Sequence, residues 1–226
     1  MNLQSLLGSP DQYLQSFDQT DAVLFEMDRD AYARSIFLDR RITAKNMNYR
    51  RTPVPELLAG VDAAPEPAPI SYIFHIAHCG STLLARALDL KEQNLVLREP
   101  YILRQLGVDA ANSGGADFER KVRLARVLLG RRYTQSEPVI VKANVPVNFM
   151  IASLMDPQAQ QPAIFLHYGL EDYLLAILRS PMHRNWVQHV SNELAPGIEK
   201  LTGPRNGAES EPIAAARLWL TQMLQF

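Results

Sequence analysis

Cysteine is nearly absent from this sequence: Cys79 is the single one in 226 residues. No disulfide can form within the chain and no Cys-rich metal centre can be assembled, so no metal is expected and a reducing, cytoplasmic setting is the default. An excess of either charge is missing too, with 23 Lys+Arg against 24 Asp+Glu and a formal net charge of −1. That balance argues against a protein that coats nucleic acid, and no nucleic-acid partner is expected. Long apolar runs are lacking. The best stretch, 163–178, is broken by His167, Glu171 and Asp172, short of the ~18 uninterrupted apolar residues of a membrane span. The first residues show no basic segment leading into an apolar run, as a signal peptide would. The expectation is a soluble chain without a membrane span.

What is present reads in two parts. Residues 11–17 and 21–38 carry Val23, Leu24, Phe25, Met27, Tyr32, Ile36, Phe37 and Leu38 at helical spacing, which predicts an amphipathic, helical N-terminal segment. Pro65, Pro67 and Pro69 then exclude a helix interior. They mark a Pro-rich lead-in, with a boundary near residue 68 between segment 1–68 and domain 69–226. Beyond it, short apolar runs at 70–76, 94–97, 138–142 and 163–167 alternate with helical patterns at 82–90, 118–129, 171–179 and 211–226. Strands that are nearly continuous in apolar residues and separated by helices predict an α/β fold, a mainly parallel sheet covered on both faces.

The stretch from His75 to Thr82 carries the chemistry. A strand runs into a tight turn, then Gly80, Ser81, Thr82 and a helix. Unpaired backbone N–H groups and the helix dipole make such a junction an anion site. Against the phosphate-loop pattern G-x-x-x-x-G-K-[ST], this sequence keeps the second Gly and the final Thr but has His75 for the first Gly and Ser81 for the Lys. Without that Lys, the loop suits an anion that needs no metal clamp. An ordinary strand–helix turn capped by Ser and Thr is the alternative.

The same residues resemble the 5′-phosphosulfate loop of the P-loop sulfotransferases. Gly80, Ser81 and Thr82 match, Cys79 stands at a Ser position, Ala77 at a Pro and His78 at a basic residue. The strand end Leu97-Arg98-Glu99-Pro100 is similar to the place where several branches keep a catalytic glutamate. Residues 164–180 resemble the 3′-phosphate segment at Phe165, Leu166 and Asp172, but Tyr168 replaces its Arg and Ala176 its Ser. The N-terminal segment looks like that of a bacterial branch of these enzymes. The likeness covers about 69–190. It implies a three-layer P-loop fold with strand order 2-3-1-4 and 3′-phosphoadenosine 5′-phosphosulfate as donor. The acceptor would be a small molecule, a glycan or a peptide.

In that frame His78 and Glu99 are the expected catalytic residues. Glu99 would be the base, and His78 a cation if a bound anion held its proton. His78, Cys79, Gly80, Ser81 and Thr82 would cradle the donor, and Arg179, Arg184 and Trp186 would take its 3′-phosphate and purine. Lys142, followed by Asn144 and Asn148, would meet the sulfonate or an acidic acceptor. The basic helix with Arg120, Lys121, Arg123 and Arg126, followed by Arg131 and Arg132, reads first as a solvated face. A non-catalytic anion-binding protein and a kinase-like phosphotransferase are the competing readings. The last helix, 211–226, either replaces the helices that usually cover the nucleotide or belongs to a shortened core.

Overall fold

The computed structural model describes residues 2–155, 161–205, 207 and 209–226. The chain opens with an antiparallel sheet, not the helices predicted for 11–17 and 21–38. Strands β1 (Gln12–Asp18) and β2 (Asp21–Glu26) form a hairpin, and α1 (Arg29–Arg34) is the one helical turn retained in that region. Strand β3 (Tyr49–Pro53) pairs with β2 on its other side, giving the order β1-β2-β3. The helical spacing misled for a physical reason. Tyr13 and Leu14, and Ala22, Val23 and Leu24, are buried consecutively, since this sheet is covered on both faces at its centre. A register shift between Leu14 and Ser16 removes what period-two alternation remained. A short apolar run of that kind cannot be told from a buried helix by periodicity.

After α2 (Val54–Leu58) and the extended Pro-rich lead-in comes the second sheet. Its parts are β4 (Ile70–His75), α3 (Ser81–Ala87), β5 (Leu95–Arg98), α4 (Tyr101–Ala111), α5 (Phe118–Leu129) and β6 (Val139–Lys142). A 3-10 turn (Val145–Met150) leads through α6 (Ile151–Leu154) to β7 (Ala163–Leu166). Helices α7 (Leu170–Leu178), α8 (Pro181–Glu193), α9 (Ala195–Thr202) and α10 (Glu211–Gln225) complete the chain. The four strands are parallel in the order β5-β6-β4-β7. Numbered within this sheet, that is the expected 2-3-1-4. The chain is thus α/β, with a four-stranded parallel sheet flanked by helices.

Residue 68 marks the entry to β4 and no gap between packing units. One continuous core joins Leu14, Leu24 and Leu57 of the N-terminal part to Tyr72, Phe74, Leu97 and Val141 of the parallel sheet. Arginines stitch the same junction. Arg131 is buried and donates to the carbonyls of Leu6, Ser9 and Gln12. Arg120 and Arg123 reach the carbonyls of Leu58, Val61 and Ala64, and Arg132 that of Pro69. The basic helix α5 is therefore a clamp on the N-terminal segment and not a solvated face. Among the described residues, no helix is long and apolar enough to cross a membrane.

Candidate functional site

Register decides where the chemistry gathers. Arg98 pairs with Lys142 across β5 and β6, and Ile73 pairs with Lys142 across β4 and β6. The carboxyl ends of these strands therefore emerge side by side, the edge at which α/β proteins bind ligands. A cavity of about 600 Å³ opens there. It is lined by His75, Ala77, His78, Gly80, Ser81 and Thr82 from the β4–α3 junction, with Glu99, Lys142 and Asn144 beside them.

The loop is wound by left-handed residues. Ala77 has φ +74°, His78 +51° and Gly80 +82°. Successive turns of this kind curl the backbone into an anion-binding concavity. For Ala77 and His78 the conformation costs on the order of 1 kcal/mol or more each, so something must hold it. That something is His75. Its buried ring accepts a hydrogen bond at Nδ1 from the Ala77 N–H (2.9 Å), and its Nε2–H donates to the Ala143 carbonyl (2.8 Å). Burial, and then the Lys142 charge, keep His75 well below the usual histidine range, hence neutral. The residue standing where the phosphate-loop pattern has its first Gly is thus the brace of the loop.

Glu99 also adopts a left-handed backbone, φ +53°, fixed by its N–H donating to the Lys142 carbonyl at 2.7 Å. Its carboxylate is ion-paired with Lys142, whose side chain is only 2% exposed. Arg98 turns away from Glu99. It pairs with Asp89 and donates to the carbonyls of Tyr32, Ala33 and Ser35.

His78 packs its ring 4.0 Å from that of His183, centroid to centroid, and edge-on to Trp186 at 5.7 Å. Burial first, then the charges of His183, Arg179 and Lys142, pull its pKa down to about 4. His78 is therefore neutral at pH 7 and becomes the expected cation only beside an anion that holds its proton. A histidine depressed in the fold stabilises it above the unfolded pKa near 6.5, and that contribution is lost as pH falls toward 4. The chain should lose stability between pH 6.5 and 4, and His78→Gln should lose less. Urea melts across that range check this. Equal pH slopes for the two proteins would remove His78 from the account.

Of the residues expected to hold the donor, Trp186 lines the cavity but Cys79, Arg179 and Arg184 do not. The Cys79 thiol points to the Leu166 carbonyl (3.5 Å) and packs in the cluster around Tyr168. Arg184 is spent on the Leu178 carbonyl (2.8 Å) and Glu211 (3.1 Å), binding α7, α8 and α10 together. Arg179 is exposed at the end of α7. Tyr168, at the Arg position of the resemblance, donates to the Ala77 carbonyl (3.4 Å), and the Ala176 carbonyl accepts from His183 Nδ1 (3.1 Å). The tyrosine thus braces the loop through its side chain, whereas the Ala176 contact is made by backbone and is independent of the residue type. Asn148 is buried, donating to the His75 carbonyl at 3.0 Å.

No protein-family model, no curated protein and no solved structure matches this chain. The site must be read from its own residues.

Several of those were missed in the sequence. Phe37, Asp39 and Arg41 of the N-terminal segment form one wall, Arg104 of α4 another, and Met182, His183, His189 and Val190 of α8, beside the expected Trp186, a third. Positions 182/183, 186 and 189/190 recur every three to four residues, a stripe along one helix face that spacing alone could have revealed. The wall from residues 37–41 had no such signal, because it depends on where the antiparallel sheet docks. The cations are all engaged: Lys142 with Glu99, Arg41 with Asp39 (Nε at 3.0 Å), and Arg104 with Glu193 (Nη1 at 2.9 Å). Among the described residues, no cluster of His, Cys, Asp and Glu is arranged to hold a metal ion.

Proposed function

We propose that the chain is a sulfotransferase-like enzyme that binds 3′-phosphoadenosine 5′-phosphosulfate and passes its sulfonyl group to a hydroxyl or amine. The observation that carries the reading is the meeting, in one cavity, of the left-handed loop Ala77–Gly80, the hydroxyls of Ser81 and Thr82, and the Glu99–Lys142 pair. The residues fit the donor's phosphosulfate end. Gly80 has nothing within 4 Å of where a Cβ would stand, so its backbone is open to close approach. The donor supplies an activated sulfonyl group: as the acceptor's oxygen or nitrogen bonds to sulfur, the bond from sulfur to the 5′-phosphate breaks and the electron pair leaves with the phosphate. Glu99, ion-paired with Lys142, takes the acceptor's proton. His78 gains a proton beside the bound anion and adds a positive charge where the leaving phosphate develops its own.

Arg179 and Arg184 stand outside the cavity, which favours one second reading, a non-catalytic anion-binding protein with little preference for a 3′-phosphate. Calorimetric titration with 3′-phosphoadenosine 5′-phosphate separates the two. Micromolar binding, tighter at pH 6 than at pH 8 as His78 takes up a proton, and lost in Gly80→Glu, is the expected result. An intact chain that ignores this nucleotide would sink the sulfotransferase reading. Binding without any transfer to any acceptor would leave the second.

A further inference from the structure

Helices α7 and α10 each leave an apolar stretch of their outer face uncovered. On α7, Glu171, Asp172, Leu175 and Arg179 are exposed, Leu175 to 66%. On α10, Ile213, Leu220 and Leu224 share one helix face and are each about half exposed. Between the two helices the half-buried Leu174, Leu178 and Met223 pack in one cluster with Tyr173, Ile177, Ala214 and Ala215. The two outer faces therefore border a common apolar seam. Exposed apolar surface that runs on in this way, rimmed by charge, marks a contact with another molecule.

The charges of α7 say which molecule. Glu171, Leu175 and Arg179 follow one another at four-residue steps, so they form one row along the helix. Among the described residues, Glu171 and Arg179 find no ion-pair partner in their own chain. The row reads acid, leucine, base, and is complementary to itself when reversed. Glu171 and Arg179 each stand about 6 Å along the helix axis from Leu175. Two such rows laid antiparallel across a two-fold axis at Leu175 bring Glu171 of each copy opposite Arg179 of the other, the self-complementary pattern that an isologous interface requires.

We propose that the α7–α10 face is a two-fold interface between two copies of this chain, with α7 crossing its counterpart at Leu175 and α10 resting on its counterpart beside it. Nothing in this depends on the chemistry of the cavity. Helices of 9 and 15 residues present faces about 13 and 22 Å long and about 10 Å wide. That is less than the roughly 800 Å² per partner of a standard interface, so the dimer is a weak, reversible one. Sedimentation velocity of the full chain, from about 1 to about 200 µM in low salt where surface charge is least screened, should show a concentration-dependent dimer. Glu171→Arg and Arg179→Glu should each weaken it by about tenfold or more, because like charges then face each other. Mixed in equal amounts, these two variants should associate with each other as the native chain does with itself. The double variant Glu171→Arg with Arg179→Glu should return to within about threefold of the native chain. That rescue separates pairing across the interface from the helix dipole, which the native charges suit and the double variant opposes. A chain that stays monomeric over the whole range overturns the proposal. Single variants that dimerise like the native chain overturn it too, as does a failure of both the mixture and the folded double variant to restore association.

Discussion

Lys142→Ala should lower the stability of the chain by about 3 kcal/mol, the lower end for breaking a buried ion pair, because Glu99 retains some water. The Lys142 side chain is 2% exposed and that of Glu99 17%. Removing the ammonium leaves a mostly buried carboxylate without its counter-charge, on a backbone already held at φ +53°. The single variant Glu99→Gln leaves the opposite charge uncompensated, and should also destabilise. The double variant Lys142→Met with Glu99→Gln should recover most of the loss, since neither charge remains to be desolvated. Urea unfolding of the three proteins at pH 7 gives the comparison. A double variant as unstable as the sum of the singles would mean that the two side chains act separately. Function divides differently. Glu99→Gln should keep nucleotide affinity while cutting transfer by a factor of about 10² to 10⁴, the usual contribution of a general base. An unchanged rate would take Glu99 out of that role.

Arg98→Leu should cost about 3–5 kcal/mol, as expected when one partner of a buried, hydrogen-bonded ion pair is removed. The Arg98 guanidinium donates to the carbonyls of Tyr32 (2.8 Å), Ala33 (2.9 Å) and Ser35 (2.7 Å) and pairs with Asp89. These are the carbonyls at and just beyond the end of α1, the place where a helix lacks internal partners. Arg98 satisfies them from the end of β5, so one side chain fastens the N-terminal segment to the parallel sheet. Arg98→Lys should recover less than half of the loss, because a single ammonium cannot reproduce a planar fork with five donors. The loss should be local as well as global. Without the Arg98 side chain, residues 35–41 lose one of their anchors and should become more sensitive to limited proteolysis. The cavity would lose the wall made by Phe37, Asp39 and Arg41 with them. Destabilisation below about 1 kcal/mol, with residues 35–41 still protected, would show that the segment is held by its apolar contacts and by the hydrogen bonds of Leu38 to the Arg98 and Tyr101 backbone and to Tyr13. Either way the variant separates anchoring from chemistry, because Arg98 itself does not line the cavity.

The parallel sheet and its chemical edge were legible because their signals are local. Ile70–His75, Val139–Lys142 and their kin are short, continuous apolar runs broken by turns, which is what strands buried on both faces require. Gly80-Ser81-Thr82 after such a run marks a strand–helix junction with open N–H groups, and Glu99 before Pro100 marks a strand end. Those patterns were enough to anticipate the strands, the residues of the loop and its opposite carboxylate, while the order β5-β6-β4-β7 was expected only from the family resemblance. The N-terminal sheet was illegible for the same physical reason that made the other readable. Its apolar residues are buried on both faces too, but within a hairpin whose register shifts at Leu14/Ser16, and without partners the run passes for a helix.

What only the tertiary structure decided was which charges meet. Lys142 finds Glu99 and Arg104 finds Glu193, 43 and 89 residues apart, and Arg98 finds Tyr32 at a distance of 66. Electrostatic partners act through space, so sequence spacing carries no record of them. The same holds for the depressed pKa of His78, which depends on burial against α8. Residue types and local runs set the sheet and placed the Gly80-Ser81-Thr82 loop at its edge. Docking of the antiparallel layer and of α8 made that edge a cavity with charge-paired walls, and the burial it brings keeps His75 and His78 neutral.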